Sequence, residues 1–262
     1  MRDGRVGFMI AGVQKAGTSS LFSYLTRHPD LQGPSVKETH FFDDETGVDW
    51  AKPDYERLHR LFPATDGDDR IAFEATPISI FWPNALERIV AYSPDMRLIL
   101  IFRDPIERAW SHWRMEIERG ADNVPFGFAI RQGRWRLRDV APNDPAWRTY
   151  SYVERGFYGR QIDRLLGLFD RQNVLFLRSN DLKRDPAATL ASIAAFLELR
   201  PFPPGKPIIQ HVGESDFGRL SEVDFRYLKS LYADDLEAFA KTSGIQVDDW
   251  PTWHSMSYEA TS

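Results

Sequence analysis

The 262 residues are enough to bury one full core, and 42% hydrophobic with 27% charged residues is the balance of a globular chain and not of a disordered one. A formal net charge of −5 excludes a global basic field that would hold nucleic acid or an anionic membrane, so any anion site has to be local. Zero cysteines exclude disulfides and thiolate metal sites, and the strongest apolar run, "LILIF" at residues 98–102, is far too short to span a bilayer. The start "MRDGRVGFMIAG" carries an acidic residue and leads straight into a glycine turn, unlike a signal peptide. The expectation is one soluble, cytoplasmic α/β domain over residues 1–262, of open oligomeric state.

Taken in chain order, residues 6–13 ("VGFMIAGV") read as a buried strand, and residues 19–28 ("SSLFSYLTRH") have helical spacing. Between them lies a glycine turn. In the nucleotide-hydrolase pattern G-x-x-x-x-G-K-[ST], Gly12 and Gly17 match the glycines, but Thr18 takes the lysine position and Ser19 the hydroxyl position. The lysine is Lys15, inside the loop. A strand, a glycine turn and a helix start gather backbone N–H groups and the positive end of a helix dipole around one point, which favours an oxyanion. Thr18, Ser19 and Ser20 add hydroxyls, and Gly17 allows close backbone approach. A plain turn capped by Ser or Thr is the competing reading.

Further along, "KETHFF" offers Lys37, Glu38 and His40 as site candidates, and residues 71–76 ("IAFEAT") read as a second strand. Residues 97–103 ("RLILIFR") form a third, which would deliver Arg103 to the carboxyl edge of the sheet, where open α/β sheets bind ligands. A helix follows, with Pro105 in its first turn and Gly120 as its stop. Ser111 lies eight residues beyond Arg103, so a strand end and the second helical turn can converge on one phosphate. An ordinary salt bridge from Arg103 to Asp104 or Glu107 is the alternative. Residues 120–145 are irregular, with arginines 131, 134, 136 and 138 around Trp135, a pattern of a solvated face or of a wall meeting an anionic acceptor. Residues 173–179 ("NVLFLRS") read as a strand, residues 185–199 as a helix, and the tail from residue 248 as a partly docked, fraying end. Alternating strands and helices argue for a mostly parallel sheet with helices on both faces. Phe41, Phe42, Phe81, Trp82 and Trp135 are candidates to line an apolar or sugar-stacking cleft.

A nucleotide hydrolase places a magnesium-holding aspartate after a hydrophobic strand, whereas "LILIF" is followed by Arg103, and Asp181 is a weaker match three residues past its strand. Two anion holders, a displaced lysine and no expected metal suggest sulfuryl transfer. The sulfuryl group carries less negative charge than a phosphoryl group, so lysine and backbone donors can stabilise it. At about 4 Å and an effective dielectric of about 20, one lysine–anion pair contributes roughly 4 kcal/mol before desolvation.

"QKAGTSSL" with "IFRDPIERAWSHW" resembles the two cofactor motifs of sulfotransferases that use 3'-phosphoadenosine-5'-phosphosulfate (PAPS), and "HPDLQGPSVKETHFFDDE" and "FEATPISIF" are similar to the heparan sulfate 3-O- and N-sulfotransferase branch and its bacterial relatives. The resemblance implies a P-loop-like three-layer α/β fold with a central, mostly parallel sheet flanked by helices. It implies in-line, metal-independent transfer to an acceptor hydroxyl, carbohydrate or small molecule, with adenosine 3',5'-bisphosphate (PAP) as product. It places the 5'-phosphosulfate on Lys15, Ala16, Gly17, Thr18, Ser19 and Ser20 with Lys37 nearby, and the 3'-phosphate on Arg103 and Ser111. Glu74 matches the family's base and needs to stay ionised near cationic groups, with His40 as runner-up. Ala75 stands where a lysine often follows that glutamate. Gly156 and Tyr158 match a Gly-x-Tyr that walls the cofactor, with Arg155 a weaker candidate, and Gly218-Arg219 is a remnant of a basic glycine motif whose usual neighbouring cysteine-bridged loop is missing here. A noncatalytic nucleotide-binding module and an ATP-dependent small-molecule kinase are the alternatives.

Overall fold

The computed structural model describes residues 5–62, 69–206, 208 and 217–254. The chain divides into two compact units, the first made of residues 1–102 and 165–211, the second of residues 103–164 and 212–262. In chain order the elements are β1 (Val6–Gly12), α1 (Thr18–Leu25), β2 (Leu31–Gln32), α2 (Glu56–His59), β3 (Ile71–Glu74), α3 (Ala85–Tyr92), β4 (Arg97–Phe102), α4 (Pro105–Glu118), α5 (Phe126–Ala129), α6 (Ala146–Tyr150), α7 (Tyr158–Leu166), β5 (Val174–Arg178), α8 (Ser179–Arg184), α9 (Pro186–Leu197) and α10 (Glu222–Ser243).

The first unit is built on a five-stranded sheet in the order β2-β3-β1-β4-β5, with every pairing parallel. A parallel sheet is covered on both faces, which is why its strands read as continuous apolar runs. Phe8 to Ala11 in β1 and Leu98 to Phe102 in β4 are entirely shielded from solvent. Each of these side chains other than Ala11 contributes roughly 1.5–3 kcal/mol on burial. Phe8 stacks on Phe73 of β3 at 5.2 Å, and Phe22 of α1 reaches the same ring at 5.3 Å, so helix and sheet share one aromatic contact. The chain leaves β1 towards β2 and β3 on one side and reaches β4 and β5 on the other, so strand order reverses at β1. Ligands in open α/β sheets bind at the carboxyl ends of the strands at such a reversal. The four strands expected from the sequence are present, and β2, only two residues long, has too little pattern to be read.

The second unit is helical. Ile106, Ala109 and Trp113 line one face of α4 and pack with Phe126, Ile130, Tyr152, Leu228 and Tyr232. α10, at 22 residues, starts where Ser221 Oγ accepts from the Asp224 N–H (3.1 Å) and ends at Gly244 with φ 72°. Those are the capping signals at each end that a helix of this length needs. The stretch 120–145 contains α5 and a 3-10 segment, Gln132–Leu137. Among the described residues no helix is long and apolar enough to cross a membrane.

Candidate active site

β1 ends at Gly12, and the loop that follows is tied back to the sheet by Val13 N–H donating to the Ile101 carbonyl (3.0 Å) and closed by Ala16 N–H donating to the Val13 carbonyl (3.2 Å). Lys15 and Gly17 are both left-handed, with φ 72° and 98°. A Cβ on Gly17 would meet only Ser179 Oγ, at 3.5 Å, so conformation and not space calls for glycine there. Gly17 occupies the cap position of α1, and no side chain caps the helix. The first-turn amides, which a helix cannot bond internally, therefore face the loop together with the hydroxyl-bearing Ser19 and Ser20. Alternating left-handed residues before a helix start form the concave backbone that holds an anion. Ala16 is buried and spends its amide inside the loop. Thr18 is buried, Ser20 half-buried and Ser19 exposed. These donors can converge on an oxyanion.

Among the described residues five non-glycine residues have positive φ, and three of them are site candidates: Lys15, Glu38 (63°) and His40 (52°). The left-handed region costs an L-residue about 1–2 kcal/mol, and such strain gathers at functional sites. Lys37 Nζ pairs with Glu38 Oε1, Glu38 Oε2 lies 3.7 Å from His40 Nε2, and His40 Nδ1 meets Asp43 Oδ2 at 2.8 Å. Asp43 is fully buried while the His40 side chain is 46% exposed. A buried carboxylate on Nδ1 fixes the orientation of the half-exposed ring, with Nε2 on the side of Glu38.

Glu74 ends β3, next to β1 and opposite Met9. Its Oε1 accepts from Thr39 N–H (3.1 Å), Thr39 Oγ1 (3.0 Å) and Thr76 Oγ1, and Thr76 Oγ1 in turn accepts from His40 N–H (3.3 Å). Glu74 Oε2 is buried without a hydrogen-bond partner among the described residues. Burial pushes the carboxyl above its ordinary value, against the pull of the Thr76 and Thr39 hydrogen bonds, and the nearby Asp43 adds in the same upward direction. Its hydrogen-bond partners are an amide and two hydroxyls, where the sequence reading expected cationic groups. Glu74 lies under the turn that carries His40 and pins its backbone.

The aromatic candidates separate. Phe41, Phe42 and Trp82 are buried in the first unit, Phe41 against Trp50 and Tyr55, and Trp82 Nε1 bonded to Glu45, so they are core and not cleft lining. Phe81 is half-buried and Trp135 is exposed.

In the second unit, Arg103 is the residue after β4. Its Nε donates to Glu107 Oε2 at 2.8 Å, the ion pair weighed from the sequence. Ser111 is half-buried on α4. Asp104 caps α4, its Oδ1 accepting from Ile106 N–H (2.9 Å) and Glu107 N–H (3.0 Å), with Pro105 at the first position. Tyr158 is fully buried and its hydroxyl donates to the Arg103 carbonyl at 2.9 Å, so it touches the cation's backbone and does not form an open wall. Gly156 is a packing requirement, since a Cβ would sit 2.5 Å from the Tyr232 ring. Arg155 spends its donors on Ser151 Oγ and the carbonyls of Trp147 and Arg148. Gly218, with φ 66°, and Arg219 are exposed. Arg131 pairs with Asp224, Arg134 with Glu154 and Arg136 with Asp122, so these three are engaged inside the second unit and form neither a solvated face nor an open anion wall. Among the described residues no group of three or more His, Asp or Glu is arranged to hold a metal ion.

Sequence reasoning passed over Thr39, Asp43, Thr76 and Ser179, and named Asp104 only as an ion-pair partner of Arg103. Asp104 was readable, because an aspartate before a first-turn proline is a cap signal. The others depend on tertiary pairing.

The sulfotransferase domain family matches residues 7–259. The chain belongs to the sulfotransferase family. It is 33% identical over 195 residues to heparan sulfate glucosamine 3-O-sulfotransferase 6 of Homo sapiens, covering 73% of this chain and 52% of that protein. It is 31% identical over 194 residues to the 3-O-sulfotransferase 3B1 of Homo sapiens, covering 73% and 46%. The chain thus spans about half the length of the curated relatives it matches. A solved sulfotransferase from Alicyclobacillus acidocaldarius superposes with a TM-score of 0.76 at 25% identity, over 94% of this chain and 98% of that one. The parallel sheet flanked by helices is the P-loop-like fold of this family.

Proposed function

We propose that this sulfotransferase-family chain moves a sulfuryl group from PAPS to a carbohydrate or small-molecule hydroxyl without a metal. The observation that carries the reading is the loop in which Lys15 and Gly17 are left-handed in front of an uncapped α1, in a chain matched by the family over almost its whole length. When bound, the donor supplies an activated sulfuryl group with adenosine bisphosphate as its leaving group. Lys15 and the amides and hydroxyls at Gly17, Thr18, Ser19 and Ser20 hold the 5' end, and Lys15 offsets the negative charge that grows there. Arg103 and Ser111 hold the 3'-phosphate, with Lys37, Gly218 and Arg219 as further cationic or backbone contacts. His40 takes the acceptor's hydroxyl proton on Nε2, with Asp43 holding Nδ1, and exposure favours it over the buried Glu74.

The relatives' names place their chemistry on the glucosamine of heparan sulfate. This chain has a net charge of −5 and holds Arg131, Arg134 and Arg136 in internal pairs, which supports a weakly charged acceptor over a polyanion.

The test is calorimetric binding of PAP against ADP, without magnesium, for wild type, Lys15→Ala and Arg103→Ala, followed by PAP release from PAPS in the presence of acceptors and EDTA. Tight PAP binding weakened in both variants, with turnover in EDTA, is the expected result. Binding of ADP only with magnesium would return the kinase reading, and PAP binding without turnover on any acceptor would favour a noncatalytic module.

A further inference from the structure

We infer that the carboxyl-terminal segment 245–252 is a positioning element for Arg103, so that recognition of a nucleotide 3'-phosphate depends on Asp104, Trp250 and Thr252, residues to which neither the cofactor motifs nor the family match gives a role. The inference rests on the donor reading above.

Arg103 has no regular element of its own. It follows the last residue of β4 and stands directly before Asp104, whose neighbour Pro105 opens α4. Its conformation is therefore set by its neighbours' bonds, and these bonds lead to one place. Asp104 is 3% exposed, and its carboxylate is divided between two helix starts. Oδ1 caps α4 through Ile106 and Glu107, while Oδ2 accepts from Thr252 N–H at 2.8 Å. Thr252 is entirely buried and follows Pro251 in the first turn of a short helical segment, so its amide is one that the segment cannot bond internally. A buried carboxylate bridging such amides makes charge-assisted hydrogen bonds, which are stronger than neutral ones.

The second hold on Arg103 is the Tyr158 hydroxyl on its carbonyl. Trp250, 1% exposed, packs edge-on against Tyr158 (6.4 Å between ring centres, 76°) and stacks on Phe239 of α10 (5.9 Å, 20°). The tail segment is itself tied, with Trp250 N–H donating to the Val247 carbonyl and Trp253 N–H to the Trp250 carbonyl, both at 2.9 Å. Glu107, which holds Arg103 Nε, sits on the first turn that Asp104 caps. The backbone of Arg103 on one side and its side-chain partner on the other are thus fixed by Asp104, and Asp104 is fixed by Thr252. Without the tail contact the guanidinium keeps its charge but loses its aim, and a bidentate grip on phosphate depends on aim.

Asp104→Asn tests this with little change of shape. Asn keeps an oxygen for the α4 cap and presents an NH2 group to the Thr252 N–H, where two donors now meet. Dissociation constants for PAP and for adenosine 5'-monophosphate are measured by calorimetry for wild type, Asp104→Asn, Arg103→Ala and the double variant, with circular dichroism reporting fold. The expected result is that Asp104→Asn lowers the preference for PAP by about tenfold, through PAP and not through the monophosphate, and lowers it no further when Arg103 is already alanine. A general loss of structure would weaken both ligands and add to the Arg103→Ala effect. Trp250→Leu, which thins the packing on Tyr158 and leaves Asp104 in place, carries the same expectation if Asp104→Asn is not folded. Unchanged PAP preference in the folded variant, with Arg103→Ala still losing it, overturns the inference and leaves the donor reading intact. A wild type that binds PAP no better than the monophosphate overturns the donor reading itself.

Discussion

Lys15 combines a charge with a strained backbone, and the two call for separate measurements. Alanine at position 15 keeps the Cβ and hence the left-handed cost, so Lys15→Ala removes the charge alone. Of the roughly 4 kcal/mol available to such a pair before desolvation, a net loss of about 3 kcal/mol lowers turnover about 100-fold. Single-turnover kinetics at saturating PAPS read that loss, and an unchanged melting temperature shows that it is not a folding defect. The two proton-handling candidates separate in the same assay. His40→Ala is expected to lower turnover by about 10²–10⁴-fold, the contribution of a positioned base, and Glu74→Gln, which retains an Oε1 acceptor for Thr39 and Thr76, to lower it far less. Equal losses would return the base role to Glu74. Glu74 also carries a pH signature in stability. Its folded-state pKa lies above the ordinary value, chiefly through burial, so the folded chain binds more protons than the unfolded one in the window above pH about 4.5. Glu74 therefore costs stability as pH rises through that window, and the cost is absent below it. Thermal melts should show Glu74→Gln more stable than wild type at pH 8, with the difference closing towards pH 4; a difference that widens in acid would mean that the folded carboxyl prefers to be charged.

At the scale of elements, Gly156 shows how a residue that looks like part of a motif can be fixed by packing. A Cβ there would stand 2.5 Å from the Tyr232 ring, whose hydroxyl is held by the Val153 carbonyl at 2.9 Å, so the ring cannot retreat freely. Gly156→Ala is expected to destabilise by about 1–3 kcal/mol, read as a lower urea midpoint with an unchanged slope. The strand–turn–helix around Lys15 was legible because an apolar run, a glycine and a hydroxyl cluster are local signals, and the helix after Arg103 was legible from Pro105 and Gly120. α10 was not singled out, although Ser221 and Gly244 mark its ends, because its apolar residues Leu228, Tyr232, Leu236 and Phe239 are spread among charges over 22 residues. The pairing of Glu74 with Thr39 joins residues 35 positions apart, and that of Asp104 with Thr252 joins residues 148 apart, with no spacing rule to announce either. The cleft suggested for Phe41, Phe42 and Trp82 failed for a related reason. Aromatic composition does not say which rings the β3 turn draws into the core.

For the whole molecule the deciding quantity is charge. The chain carries 33 lysines and arginines against 38 aspartates and glutamates, giving a net charge of −5, whereas its sulfotransferase relatives are named for heparan sulfate, a polyanion. A donor loop can concentrate positive charge over a few ångströms and work inside a negative envelope. A long polyanionic acceptor meets the envelope first. The sign of its salt dependence therefore distinguishes two kinds of acceptor groove. With PAPS saturating, kcat/KM for a sulfated oligosaccharide should rise as ionic strength goes from about 0.01 to 0.15 M, because the Debye length falls from about 30 Å to about 8 Å and screens the repulsion. The same sugar without its sulfates should show almost no dependence and be the better substrate at low salt. A fall in kcat/KM with salt for the sulfated sugar would instead reveal a local basic groove that steers the polyanion despite the net charge, and would bring the acceptor close to that of the named relatives. Three of the four arginines that sequence alone offered for such a groove, at 131, 134 and 136, are engaged by Asp224, Glu154 and Asp122, while Arg138 is exposed, so neutralising those carboxylates is the change that would free the three. In an Asp122→Asn, Glu154→Gln, Asp224→Asn triple variant the net charge moves from −5 to about −2, and the salt dependence for the sulfated sugar should flatten or reverse.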